Sequence, residues 1–251
     1  MTSRFIEGRW AAVLLAGIFA LGAVVLSACG DGSDDSTLPP TAPAGTTATP
    51  QPLTGLVTVF AAASLTDAFN EIAAEFKKTN PGVEFEFNFQ GSSALRTQLE
   101  QGARADIFAS ADVMQMDAAK KSGVIAPGDK IFVRNSLVLI TPKDNPAKIK
   151  SVADLKNSGI KLVLAAPEVP VGNYARQMLT KADADPALGP GTSDAVLKNL
   201  VSNESNVKQV VAKIQLGEAD AGIVYGSDVT PSVARALTSV AIPASINVVA
   251  E

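Results

Sequence analysis

From Leu56 onward, short apolar runs alternate with stretches of helical period. "LVTVF" (56–60) has the composition of a buried strand, and Leu65, Phe69, Ile72 and Phe76 then recur at spacings of four, three and four, which predicts an amphipathic helix over 65–78. "NPG" (80–82) stops that helix. "VEFEFNF" (83–89) alternates strictly, with Val83, Phe85, Phe87 and Phe89 on one face and Glu84, Glu86 and Asn88 on the other, as a strand with one solvated side would. A "QGSS" turn leads to the helix "ALRTQLEQG", the strand "ADIFAS" (105–110) and the helix "DVMQMDAAKKSG", which Gly123 ends.

The same alternation continues downstream. "NSLVLITP" (135–142) predicts a strand, Ser151 and Asp154 have capping-box spacing, and "IKLVLAA" (160–166) predicts another strand. "GNYARQMLTKA" predicts a helix, 183–193 a loop, and "SDAVLKNLV" and "NVKQVVAKIQLG" two more helices before the strand "DAGIVYG" (220–226). Strands alternating with helices define an α/β protein with mostly parallel sheets. About 195 ordered residues suit one large domain or two small lobes, and periodicity does not choose between them.

Composition changes the picture at the N-terminus. Arg4 and Arg9 precede an apolar run from Ala11 to Leu26, so residues 1–28 read as a secretory signal. The run ends in "LSAC", which resembles a lipobox and makes Cys29 the expected lipidation site; the alternative is a retained single-pass anchor. Cys29 is the only cysteine, so no intramolecular disulfide can form. Residues 29–54, rich in Pro, Thr, Ser and Gly, read as a flexible tether between lipid and domain.

Charge and missing residue types exclude several function classes. Losing Arg4, Glu7 and Arg9 with the leader takes the formal charge from −4 to −5, and nothing supplies the clustered Lys and Arg that a nucleic-acid partner requires. The chain has no histidine, so Ser-His-Asp and Cys-His catalysis and His-containing zinc sites are excluded. A hydrolase using Ser64 or Ser92 would need a lysine as base, and neither serine lies in G-x-S-x-G.

The turns after the strands carry the candidate chemistry. Ser64 in "AAASLTDAF" and Ser92 in "QGSS" each follow a strand and open a helix, where unpaired backbone N–H groups and the helix dipole suit an anion without any lysine. Each serine is equally explained as an N-cap, and Asp67, three residues after Ser64, approaches a capping box. Pro170 suits an early helix position, and Gly172 is expected to let backbone approach a ligand. Tyr225, one of two tyrosines, ends a strand where its phenol could donate to a ligand or simply sit at the rim of the core.

These residues together resemble the molybdate-binding proteins of ABC transporters. "TVFAAASLTDAF", "FQGSSALRTQLEQGARADIFASAD", "NSLVLI", "PEVPVGNYA" and "ADAGIVYGSD" stand in that family's order and approximate spacing, from Val57 to Asp228. The resemblance implies a two-lobed periplasmic-binding-protein fold of the class II type, two mostly parallel sheets flanked by helices, with the ligand in the cleft between lobes. It implies one lobe from 55–135 plus 229–251, a second from 136–228, and chain crossings near Ser136 and Gly226.

Carried over residue by residue, the resemblance implies that Ser64, Ser92, Val171, Val207 and Tyr225 hold a tetrahedral oxyanion, Val171 standing where the family often has alanine. Molybdate or tungstate is the implied ligand, held without a cofactor or direct protein–metal bonds; sulfate is the alternative. The implied partners are an ABC permease and, through Cys29, the outer face of a membrane, with the protein itself a non-enzymatic monomer. Relatives continue past "INVVAE" through another strand and a helix, so the first lobe is expected to be incomplete over these residues. A ligand-free structural lipoprotein is the remaining alternative.

Overall fold

A computed structural model describes residues 52–251. The expected signal peptide (1–28), Cys29 and nearly all of the expected 29–54 tether lie outside the described residues. Nine strands and six helices follow in order: β1 (Thr54–Ala62), α1 (Thr66–Thr79), β2 (Gly82–Gln90), α2 (Ser92–Glu100), β3 (Ile107–Ala109) and α3 (Val113–Lys121) form the first group. The second comprises β4 (Asn135–Pro142), β5 (Leu162–Ala165), α4 (Pro170–Ala184), α5 (Thr192–Leu197), β6 (Leu200–Glu204), α6 (Val207–Gln215), β7 (Ala221–Tyr225), β8 (Leu237–Ala241) and β9 (Val249–Ala250).

The first group builds a three-stranded sheet in the order β2-β1-β3, with every pair parallel. Because side chains alternate across a strand, β1 feeds two small cores. Val59 and Ala61 pack with Ala109 on the face that meets Leu65, Phe69, Phe85, Phe87 and Phe89. Phe60 points the other way, onto Leu95 and Leu99 of α2. The strict alternation of β2 is realised as stacked phenyl rings, Phe85 on Phe87 at 5.9 Å and Phe87 on Phe89 at 4.9 Å.

The larger sheet runs β6-β5-β7-β4-β8, with β9 on the first residues of β4. β5 pairs in parallel with β6 and β7, whereas β4 pairs antiparallel with β7, β8 and β9, so this sheet is mixed rather than mostly parallel. Its core is the larger one, with Leu139, Ile140, Leu162, Leu164, Met178, Leu179, Ile214 and Ile223 fully buried between strands and the helices α4 and α6.

Two expectations are corrected here. Residues 229–251, assigned with 55–135 from the resemblance, pair instead with the second sheet: β8 lies on β4 from Val138 to Pro142, and β9 meets Asn135 and Ser136. The helix read through "SDAVLKNLV" ends at Leu197, where Asn199 turns its amide to the carbonyls of Leu155 and Asn157. Leu200–Glu204 is then free to pair with β5 as an edge strand.

Candidate oxyanion site

The ends of the two sheets face one another, and six chain segments meet between them. β1 runs into a single 3-10 turn, Ala63–Leu65, before α1 begins. No side chain caps either helix start, so Ser64 is not the N-cap that its sequence suggests. Ala61, Ala62 and Ala63 are buried, and their small side chains leave Ser64 partly accessible.

Ser92 is the first residue of α2, after Gly91, and is 1% exposed. Its Oγ accepts the Ala111 N–H at 3.0 Å, which ties α2 to the turn after β3. With that lone pair used, the hydroxyl proton remains available to donate. Gly91 is required for a different reason: a Cβ there would lie 2.5 Å from the Ser205 carbonyl oxygen, so glycine alone lets the start of α2 come up against the segment before α6.

α4 begins with Pro170 at its first position, where a missing N–H costs nothing, and Val171 follows. The backbone N–H groups of this first turn have no acceptor inside the helix. Gly172 does not face the ligand region as expected. A Cβ on it would meet the Ala166 oxygen at 2.1 Å and the Ala165 oxygen at 2.4 Å, so it packs α4 onto the end of β5. α6 begins at Val207, and Asn206 caps it by accepting the Gln209 N–H at 3.1 Å.

Ser64, Ser92, Val171, Val207 and Tyr225 all line one small cavity, of about 10 Å³, together with Gly91, Ala111 and Asn206. That is about the room one water molecule needs. No Asp, Glu, Lys or Arg contributes to its wall. The Tyr225 hydroxyl is fully buried and has no hydrogen-bond partner, and burial pushes its pKa well above that of an ordinary phenol. It is therefore a neutral donor at physiological pH, and an unused one. Beside it, Tyr174 packs edge-on at 6.5 Å and orients the ring.

A wider opening of about 990 Å³ runs along β3 and residues 124–135 and touches Ser64 and Tyr225 at one end. Exposed Ile107, Phe132 and Val133 share its walls with Asp106, Asp117, Asp129, Lys120, Lys130 and Arg134, so its lining is mixed and charged, unlike that of the small cavity. Among the described residues, no cluster of three or more His, Cys, Asp or Glu could hold a metal ion.

Sequence reasoning overlooked a charged set just behind the cavity. Asp228 is fully buried; its Oδ2 accepts the Tyr225 N–H at 3.1 Å, and its Oδ1 has no hydrogen-bond partner. Lys208 Nζ lies 3.8 Å from that Oδ1 and 2.9 Å from Asp67 Oδ2. Burial raises the Asp228 pKa to about 7, against the opposing pull of Lys208 and the Tyr225 N–H. The available signal was position: Asp67, Lys208 and Asp228 stand three, one and three residues after Ser64, Val207 and Tyr225.

Two α/β units whose helix starts converge on a neutral, donor-lined cavity define a solute-binding protein of the two-lobed type. The chain belongs to the bacterial extracellular solute-binding protein family, whose description it matches over residues 57–251. It is similar to the molybdate-binding protein ModA of Mycobacterium tuberculosis, with 42% identity over 241 residues covering 96% of this chain and 84% of the relative. It is also similar to the molybdate-binding protein ModA of Escherichia coli, with 38% identity covering 71% of this chain and 68% of the relative. Among solved structures, one from Clostridium difficile described as the substrate binding domain of a molybdenum ABC transporter shares 30% identity at a TM-score of 0.53, covering 78% and 83% of the two chains.

Proposed function

We propose that this protein binds molybdate or tungstate outside the cytoplasm and delivers the oxyanion to an ABC permease. The observation that carries the reading is the Tyr225 hydroxyl, buried without a partner in a cavity that holds no charged side chain. A buried donor left unpaired costs about 1–3 kcal/mol, and an oxyanion acceptor would repay it. The relatives named above bind molybdate by their own descriptions, which supports the same ligand here.

Five positions would supply the donors: the Ser64 and Ser92 hydroxyls and N–H groups, the Val171 and Val207 N–H groups, and the Tyr225 phenol. Three of them stand at the starts of α2, α4 and α6, whose dipoles present partial positive charge to the cavity. A chain of formal charge −4 cannot attract an anion by its overall field, so these local dipoles must do so. Charge-assisted bonds contribute roughly 1.5–3 kcal/mol each, so five or more could offset dehydration and reach about micromolar affinity or tighter.

A wall of donors also selects against protonated anions. Phosphate near neutral pH keeps a proton that would face donors, whereas molybdate, tungstate and sulfate carry none. Cavity size must therefore separate those three. Binding would draw residues 55–135 and the second sheet together, and Cys29 would hold the protein at the membrane. The role is binding rather than catalysis, as the lack of any histidine base supports.

Isothermal titration with sodium molybdate, tungstate, sulfate and phosphate tests the reading. Heat from the first two and none from phosphate is expected. Binding of sulfate alone would move the protein to another oxyanion, and labelling of Ser64 or Ser92 by a serine-reactive phosphonate would replace binding with hydrolysis.

A further inference from the structure

We propose that Lys208 is a positioning residue for the anion site, holding three of its walls in one arrangement; the inference rests on the oxyanion-binding reading above. Lys208 follows Val207 directly in the first turn of α6. Asp67 lies three residues after Ser64, in the first turn of α1, and Asp228 lies three residues after Tyr225, in the 3-10 turn that follows β7. One ammonium therefore touches the element behind each of three predicted ligand positions.

The two contacts are of different kinds. Asp228 is sealed from water, one of its oxygens is taken by the Tyr225 N–H, and the other has only the Lys208 charge, at 3.8 Å. That separation is too long for a hydrogen bond, so the attraction is Coulombic and little screened. It anchors the lysine at the base of the turn. Asp67 belongs to the other sheet's helix and its side chain is 64% exposed, and its 2.9 Å contact spans the cleft. Once ionised, above about pH 7, the buried carboxylate fixes the lysine, and the fixed lysine catches the opposite wall.

The same cation sets the charge around the site. Without it, a dianion in the cavity would face Asp67 and Asp228 with no nearby compensation; with it, one carboxylate is neutralised while the cavity wall stays uncharged. Lys208 thus acts on the ligand through the walls it holds and through the field behind them, without touching the ligand. A second cross-cleft contact, Gln115 Nε2 donating to the Glu168 carbonyl at 3.1 Å, involves none of the five predicted ligand positions.

The test uses the whole protein with Lys208→Met, Lys208→Arg and Asp67→Asn. Titration with sodium molybdate and tungstate is paired with small-angle scattering of the oxyanion-free protein at low and high salt. Affinity is expected to fall about tenfold or more in Lys208→Met and about two- to fivefold in Asp67→Asn, and to return to within about threefold of wild type in Lys208→Arg. Lys208→Met should also show a larger radius of gyration than wild type at low salt, a change that Tyr225→Phe should not produce. Affinity within about twofold of wild type and unchanged scattering in Lys208→Met would overturn the proposal. Should Lys208→Met not fold, Asp67→Asn decides, because removing an exposed carboxylate strands no buried charge. A wild-type protein that binds neither oxyanion sinks the anion-binding reading alone, and the scattering comparison still decides the bridge.

Discussion

Asp228 accepts the backbone N–H of Tyr225 through Oδ2 at 3.1 Å, so a buried carboxylate holds the residue whose phenol is the unpaired donor of the cavity. The pair separates two roles that mutation can pull apart. The phenol faces the proposed ligand, and the carboxylate fixes the backbone that carries it.

Tyr225→Phe removes the hydroxyl and keeps the ring against Tyr174. Molybdate binding is expected to weaken by about 0.5–3 kcal/mol, while the oxyanion-free protein melts at the same temperature or higher, because an unsatisfied buried group has been removed. Calorimetric titration and thermal melts of one preparation check both halves. A lower melting temperature in the free protein would mean that the hydroxyl has a structural partner.

Asp228→Asn should change how stability depends on pH. Burial raises the folded pKa to about 7, while an unfolded carboxylate titrates near about 3.9. Between those values the folded state binds the extra proton, so stability is greatest below about 4 and falls as pH rises through about 7. The slope is about 1.4 kcal/mol per pH unit at most. Asparagine carries no such proton and should flatten this part of the profile. Urea denaturation at pH 5, 6, 7 and 8 measures the slope in each protein, and identical slopes would refute the assignment.

Gly91→Ala tests the approach of the two sheets. The backbone at Gly91 (φ −62°, ψ 138°) suits alanine, so any cost comes from the 2.5 Å encounter with the Ser205 oxygen. Since that oxygen belongs to the opposite wall, the variant can relieve the clash by opening. Oxyanion affinity should drop by about tenfold or more with a loss of less than about 1 kcal/mol in the free protein. An unchanged affinity would show that the walls need not meet at Gly91.

Ser92→Ala should cost both stability and affinity. The Ala111 N–H loses its acceptor in a part-buried place, worth about 1 kcal/mol, and the cavity loses a hydroxyl donor. Denaturation and titration together report the two losses, and a variant as stable as wild type would place water or another acceptor at the Ala111 N–H.

Much of this was legible because it is local. The period of Leu65, Phe69, Ile72 and Phe76 marks α1, and the alternation from Val83 to Phe89 marks β2. What failed to read was decided by distant partners. Leu200–Glu204 carries no strand signature strong enough to break "SDAVLKNLV", and becomes a strand because β5 offers it an edge. Gly172 looked like a point of ligand approach but is pressed onto the carbonyls of Ala165 and Ala166, which come from the end of the preceding strand.

The sequence by itself determined the α/β alternation, the absence of histidine chemistry, and the small-residue turns at Ser64 and Ser92 that leave helix starts open. These follow from side-chain period, composition and backbone freedom, each a property of a few neighbouring residues. Ser64, Ser92, Val171, Val207 and Tyr225, spread over more than half the chain, were grouped only by resemblance, and the tertiary structure is what lines one cavity with them. It also placed β8 and β9 on β4 and brought Asp67, Lys208 and Asp228 together. Strand pairing and the burial of a charge depend on which segments end up opposite one another, and no local pattern encodes that.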